Sequence, residues 1–144
     1  DKIEAFDISH ISGSNVTASC IVFSDKGPEK KEYRSMNIKT DKNDDYFALA
    51  EAISRRISSL KKRSLPFPNL FLIDGGKGQY SVSREVLNEL GLHDLPILAV
   101  AKGKRRNAGE EKIYYQNKEF ILNKNDPLLF FIQRLRDEAS SLSL

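Results

Sequence analysis

Leu70-Phe71-Leu72-Ile73-Asp74-Gly75-Gly76-Lys77-Gly78-Gln79 is the stretch that decides the fold. Five residues read as a buried strand, the strand ends on a carboxylate, and a glycine turn leads into a helical pattern over residues 79–90 that Gly91 ends. A strand, a tight turn and a helix form half of a βαβ unit, and residues 95–101 supply the next strand. A matching carboxylate lies near the start of the chain, in Ile3-Glu4-Ala5-Phe6-Asp7-Ile8-Ser9-His10. A carboxylate in a buried strand costs several kcal/mol unless something compensates it. Two such strands side by side set like charges together. A divalent cation resolves both problems, since Mg²⁺ typically takes one or two carboxylates plus waters and phosphate oxygens. Asp7 and Asp74 are therefore the candidate metal ligands of a phosphodiesterase site. The competing reading is that each aspartate only caps a turn.

Outward from these two strands, residues 2–9, 16–23 and 30–38 read as three antiparallel strands with turns at Ser12-Gly13-Ser14-Asn15 and Asp25-Lys26-Gly27-Pro28. Asn43-Asp44-Asp45 has helix-capping chemistry, and apolar residues follow at 46, 49, 50, 53, 57 and 60. Strand four is expected over residues 69–74. Residues 112–115 and 119–122 form a short hairpin. Asp126-Pro127 opens a final helix with apolar positions 128, 132, 135, 139 and 142. The order predicts one α/β domain over residues 1–144, a five-stranded mixed sheet with helices on its faces. The first and fourth strands are neighbours in it, as in the ribonuclease H-like architecture.

Composition limits the function classes. The chain has 144 residues, 30% charged and 40% hydrophobic, with a formal charge of +3 and a pI near 9.0. That fits a globular domain with a core and excludes a disordered or fibrous chain. No apolar run reaches the roughly 18 residues of a membrane helix, and no signal peptide is evident. The one cysteine, Cys20, lies in an apolar run and reads as a buried thiol in a reducing cytoplasm. The chain opens on a strand without an initiator Met, so it is expected to be a domain cut from a longer protein.

Basic residues cluster at Arg55-Arg56, at Lys61-Lys62-Arg63 and at Lys102-Gly103-Lys104-Arg105-Arg106. The last follows a strand end, where α/β proteins bind ligands. Lys102, Lys104, Arg105 and Arg106, with Lys77 at the start of helix two, are the candidate DNA-backbone contacts. Gly75-Gly76-Lys77-Gly78 lacks the spacing of a nucleotide-binding loop. His10 lies three residues past Asp7, and His93 reads as a surface residue.

Six strings closely resemble the C-terminal endonuclease half of the UvrC family. They are Ile3–His10 as quoted above, Val16-Thr17-Ala18-Ser19-Cys20-Ile21-Val22-Phe23, Asp44-Asp45-Tyr46, Leu72 to Gln79, Val100-Ala101-Lys102-Gly103, and Gln133-Arg134-Leu135-Arg136-Asp137-Glu138-Ala139. The resemblance implies a bacterial, cytoplasmic ribonuclease H-like nuclease. It would make the 5′-side cut in nucleotide excision repair, on damaged double-stranded DNA with UvrB, after UvrA has loaded UvrB. It also implies an Asp-Asp-His triad with Mg²⁺ or Mn²⁺ and no small-molecule cofactor. Asp7 and Asp74 match the two aspartates, and Asp45 matches a further acidic position. A GIY-YIG nuclease and helix-hairpin-helix repeats, which the resemblance assigns to the full protein, are not in this chain. The family reads Arg-Asp-Glu-Ala-His where this chain reads Arg136-Asp137-Glu138-Ala139-Ser140. Serine does not exchange a proton near neutral pH as imidazole does. The sequence therefore supports two readings, an active endonuclease and a DNA-binding module impaired at Ser140.

Overall fold

The structure, a computed structural model, describes residues 1–11, 15–39, 44–102, 111–123 and 125–142. Strands β1 (Lys2–Ile11) and β2 (Asn15–Ser24) form a long antiparallel pair in which Asp7 faces Ser19. Helix α1 spans Asp45–Lys62, with the Asp44 carboxylate accepting the backbone N–H of Tyr46 at its start. Strand β5 (Leu70–Asp74) leads into helix α2 (Lys77–Glu89) and strand β6 (Ile97–Lys102). Strands β7 (Glu111–Tyr115) and β8 (Lys118–Leu122) precede helix α3 (Pro127–Leu142). β1 and β5 run parallel at the centre, with Phe6 beside Ile73, and β5 runs parallel to β6. The result is the mixed α/β, ribonuclease H-like architecture.

Three expectations are corrected. The third strand is broken: a two-residue β3 (Gly27–Pro28) and a 3₁₀ turn (Lys30–Glu32) precede β4 (Arg34–Ile38), and both strands pair with β2. Pro28 has no N–H to continue a ladder. The sheet has eight strands rather than five, because the third strand is split in two and the β7–β8 hairpin joins the β6 edge instead of standing apart. Helix α2 begins at Lys77, two residues earlier than its apolar pattern suggests.

Strand alternation divides the core into two layers. Phe6, Phe71, Ile73, Ile97 and Ala99 face α1 and α2, where Phe6 and Phe71 meet edge to face at 5.2 Å. Ala5, Leu72, Val100 and Ile113 face α3. In α1 the buried stripe includes Leu49, Ile53, Ile57 and Leu60, while Tyr46 is 44% exposed. In α3 the stripe is Leu129, Ile132, Leu135 and Ala139, so Leu128 points outward instead of inward.

The buried carboxylate of β1 is Glu4, which the sequence reading did not single out. Glu4 is fully buried against Arg56, whose Nε and Nη2 donate to its two oxygens at 2.6 and 3.1 Å. The Cys20 thiol donates to the same carboxylate at 3.3 Å. Arg56 stands three residues after Ile53 in the buried stripe, and that position was the available signal.

Candidate active site

Asp7 and Asp74 reach one place by parity and register. Asp7 has the parity of Ala5 along β1, and Asp74 has that of Leu72 along β5, so both point to the α3 face. The β1–β5 register, extended one residue past Phe6 and Ile73, sets Asp7 beside Asp74 on strands about 4.8 Å apart. Neither is as buried as the sequence suggested. Asp7 is half-buried and takes the Ser9 hydroxyl at 3.0 Å, and the Asp74 side chain is 37% exposed. Asp74 ends its strand, and the backbone turns at once at Gly75, whose φ of +151° favours glycine.

Helix α3 closes the site from above. Asp74, Glu111, Gln133, Arg136, Asp137 and Ser140 line a cleft of about 360 Å³. Arg136 has its Nη2 3.3 Å from Asp74 and its Nη1 3.3 Å from Glu111. Glu111 and Arg136 were not anticipated as site residues. The signal for Arg136 was its place four residues before Ser140, on the same helix face. The pairing of Glu111 depends on where the hairpin docks, and no local pattern carries that information.

Other candidates lie elsewhere. Asp45 hydrogen-bonds His10 across the start of α1. His10 has the parity of Phe6 and Ile8, so it extends from the opposite face of β1 from Asp7. The structure thus pairs His10 with Asp45 and not with the aspartate pair. Lys77 is exposed on the first turn of α2. Lys102 ends β6, and Lys104, Arg105 and Arg106 lie outside the described residues. In the glycine turn the Gly75 N–H donates to Val100 O at 2.9 Å and the Gly76 N–H to Gln79 Oε1 at 2.9 Å. Two amides of this turn are thus engaged internally, in keeping with its lacking the spacing of a nucleotide-binding loop.

The donors suit a hard divalent ion. Asp7 and Asp74 present carboxylate oxygens on one face, and Mg²⁺ commonly takes one or two carboxylates with substrate oxygens completing the set. No cluster of three or more His, Cys, Asp or Glu is arranged to hold a metal among the described residues. Two carboxylates on one face are a donor set that would suit such an ion. Arg136 supplies positive charge beside it.

The sequence model of the UvrC RNAse H endonuclease domain matches residues 1–143. UvrABC system protein C of Pseudomonas fluorescens SBW25 is 46% identical over 146 residues, covering 99% of this chain and 24% of that protein. The same protein of Pseudomonas protegens is 45% identical over 99% of this chain and 24% of its own length. The chain thus spans about a quarter of the length of the curated relatives it matches. Among solved structures, human endonuclease V aligns with a TM-score of 0.48 and 19% identity over 93% of this chain and 53% of that one.

Proposed function

Because this chain belongs to the UvrC RNAse H endonuclease domain family, we propose that it hydrolyses a DNA phosphodiester in a metal-dependent reaction at Asp7 and Asp74. The cut is the 5′ incision of nucleotide excision repair, made in the bacterial cytoplasm on a damaged duplex, with UvrB as partner and UvrA acting upstream. The observation that carries this reading is the adjacency of Asp7 and Asp74 on the face that α3 covers.

Each residue has a distinct task. Asp7 and Asp74 hold the ion, and Ser9 orients the Asp7 carboxylate through its hydroxyl. Mg²⁺ or Mn²⁺ held there supplies Lewis acidity toward a phosphoryl oxygen. Arg136 places a guanidinium where the substrate's charge develops. Lys77, Lys102, Lys104, Arg105 and Arg106 hold the DNA backbone beyond the strand ends. Hydrolysis forms a bond from water oxygen to phosphorus, breaks one P–O ester bond and moves a proton to the leaving oxygen. Asp45 pairs with His10 on the opposite face of β1 and is given no task in this reaction.

A second reading is favoured by one observation. Ser140 lines the same cleft as Asp74, at the helix position where the resemblance implies a histidine. Losing a general acid or base typically costs about 10²–10⁴-fold. The test is Mn²⁺-dependent 5′ incision of a lesion-bearing, UvrB-loaded duplex by the full-length protein, as written and with Ser140→His. Cutting by the protein as written, abolished by Asp7→Asn, supports an active endonuclease. Cutting by the Ser140→His form alone assigns this chain to the impaired DNA-binding module. No cutting by either form overturns the catalytic reading.

A further inference from the structure

The clusters Arg55-Arg56 and Lys61-Lys62-Arg63 have no part in the site above, yet the fold gathers them. A pocket of about 630 Å³ opens between the start of β4 and the C-terminal half of α1. Arg34, Arg55, Arg56, Lys62 and Arg63 line it, with serine hydroxyls between them. No carboxylate and no aromatic ring lines it among the described residues.

Part of this charge is already answered. Arg56 is paired with Glu4, Arg55 with Glu51 at 3.2 Å, and Arg63 approaches Glu32 at 3.9 Å. Among the described residues, no carboxylate is ion-paired with Arg34 or Lys62. Arg34 donates through Nη1 to the carbonyls of Lys31 and Tyr33, which orients its head without neutralising it. Arg56 adds an independent observation. Its side chain is 1% exposed, and its Nη1 is buried without a hydrogen-bond partner. A guanidinium carries five N–H donors, and a buried donor left unpaired is costly. Cations at the end of α1 complement the helix dipole. The dipole accounts neither for Arg34, which comes from β4, nor for Arg56, which lies well inside the helix.

We infer that this pocket is a second anion site, which takes a phosphate group of a nucleic-acid backbone. The guanidinium fork matches phosphate oxygens, and serine hydroxyls and backbone-directed lysines are ordinary phosphate contacts. The absence of aromatic platforms among the lining residues argues against recognition of bases. The pocket lies on the α1 side of the sheet, and Asp7 and Asp74 lie on the α3 side. The two places are therefore on opposite faces of the sheet.

The inference rests on the nucleic-acid reading above, but its readout is binding and not cutting. Duplex affinity of the full-length Asp7→Asn protein is measured by fluorescence anisotropy over a series of KCl concentrations, without divalent metal. The same is done with Lys62→Glu added, and separately with Ser58→Glu added. Both positions are exposed, so their side chains carry no core packing. Each addition is expected to weaken binding about fivefold or more. Each also lowers the slope of log K against log salt by about 0.9 per lost phosphate contact, with an unchanged melting temperature. Inorganic phosphate and poly-glutamate are tested as competitors at matched ionic strength. Unchanged affinity and slope in both variants overturn the inference. So does a result in which the variants weaken poly-glutamate binding but leave duplex binding intact, since the pocket then reads an acidic protein. Loss of cutting by Asp7→Asn with duplex binding kept bears on the active site alone.

Discussion

The guanidinium of Arg136 lies 3.3 Å from the Asp74 carboxylate, and it is an ionic contact without an aligned hydrogen bond: Nη2 is buried and has no hydrogen-bond partner. The same side chain is 3.3 Å from Glu111. One cation from α3 thus stands between carboxylates from β5 and β7. Attraction without a directional bond leaves the Asp74 oxygens able to turn toward another cation.

Arg136→Gln removes this charge and keeps a similar volume. Stability measured by urea unfolding without divalent metal is expected to fall by roughly 1–3 kcal/mol. Added Mn²⁺ is expected to recover part of the loss, because a bound ion stabilises the state that holds it. An identical loss with and without Mn²⁺ would show that Arg136 matters to packing only.

Asp7→Asn and Asp74→Asn would each take an anionic donor from an ion held between them. Substitution of outer-shell partners of a metal typically costs about 10–100-fold, so loss of a direct ligand should cost at least about 10²-fold in Mn²⁺ affinity. Titration calorimetry measures this directly. Wild-type affinity in either variant would remove that residue from the ligand set.

Glu4 and Arg56 form a buried pair, and breaking one side leaves an uncompensated charge. Arg56→Met alone is expected to destabilise by about 3–5 kcal/mol. Glu4→Leu together with Arg56→Met is expected to return close to wild-type stability. A double variant as unstable as the sum of the two single ones would mean that the pair does not interact as a unit.

Burial first, and the Glu4 charge second, push the Cys20 thiol well above its ordinary value near 9.0. In the folded chain the thiol stays protonated while in the unfolded chain it ionises near 9.0. Its contribution to stability is complete below that pH and is lost as pH rises beyond it. Unfolding curves at pH 8 and pH 10 should therefore differ, and Cys20→Ala should reduce the difference. A thiol reagent is expected to react with Cys20 only as fast as the protein opens. Rapid labelling of the native protein at pH 8 would contradict its burial.

Much of this arrangement could be read from residues alone. Ile3 to His10 and Leu70 to Asp74 are apolar runs bounded by turns, and one residue's parity places each aspartate. The helices were visible because Leu49, Ile53, Ile57 and Leu60, like Ile132, Leu135 and Ala139, recur at helical spacing. What escaped was non-local. Pairing of Tyr114 with Ala99 is what fixes the hairpin to the sheet, and neither strand's sequence names its neighbour. Glu4 was overlooked because a charge within an apolar strand shows its partner only when the helix has docked. Leu128 was misplaced by one position, since Leu128 and Leu129 fit the pattern almost equally until α3 is laid on the sheet.

Asp7 and Asp74 both come from the first 74 residues, and Arg136 comes from the helix that begins at Pro127. Ribosomes deliver the N-terminal part first. The central strands are thus free to pair while α3 is still being synthesised, and during that interval Asp74 lacks the Arg136 guanidinium. Arrival of α3 covers the apolar layer of Leu72 and Val100 and supplies the missing charge in one event. The cleft is consequently finished last, and a chain halted before residue 127 holds both aspartates without the helix that makes them a site.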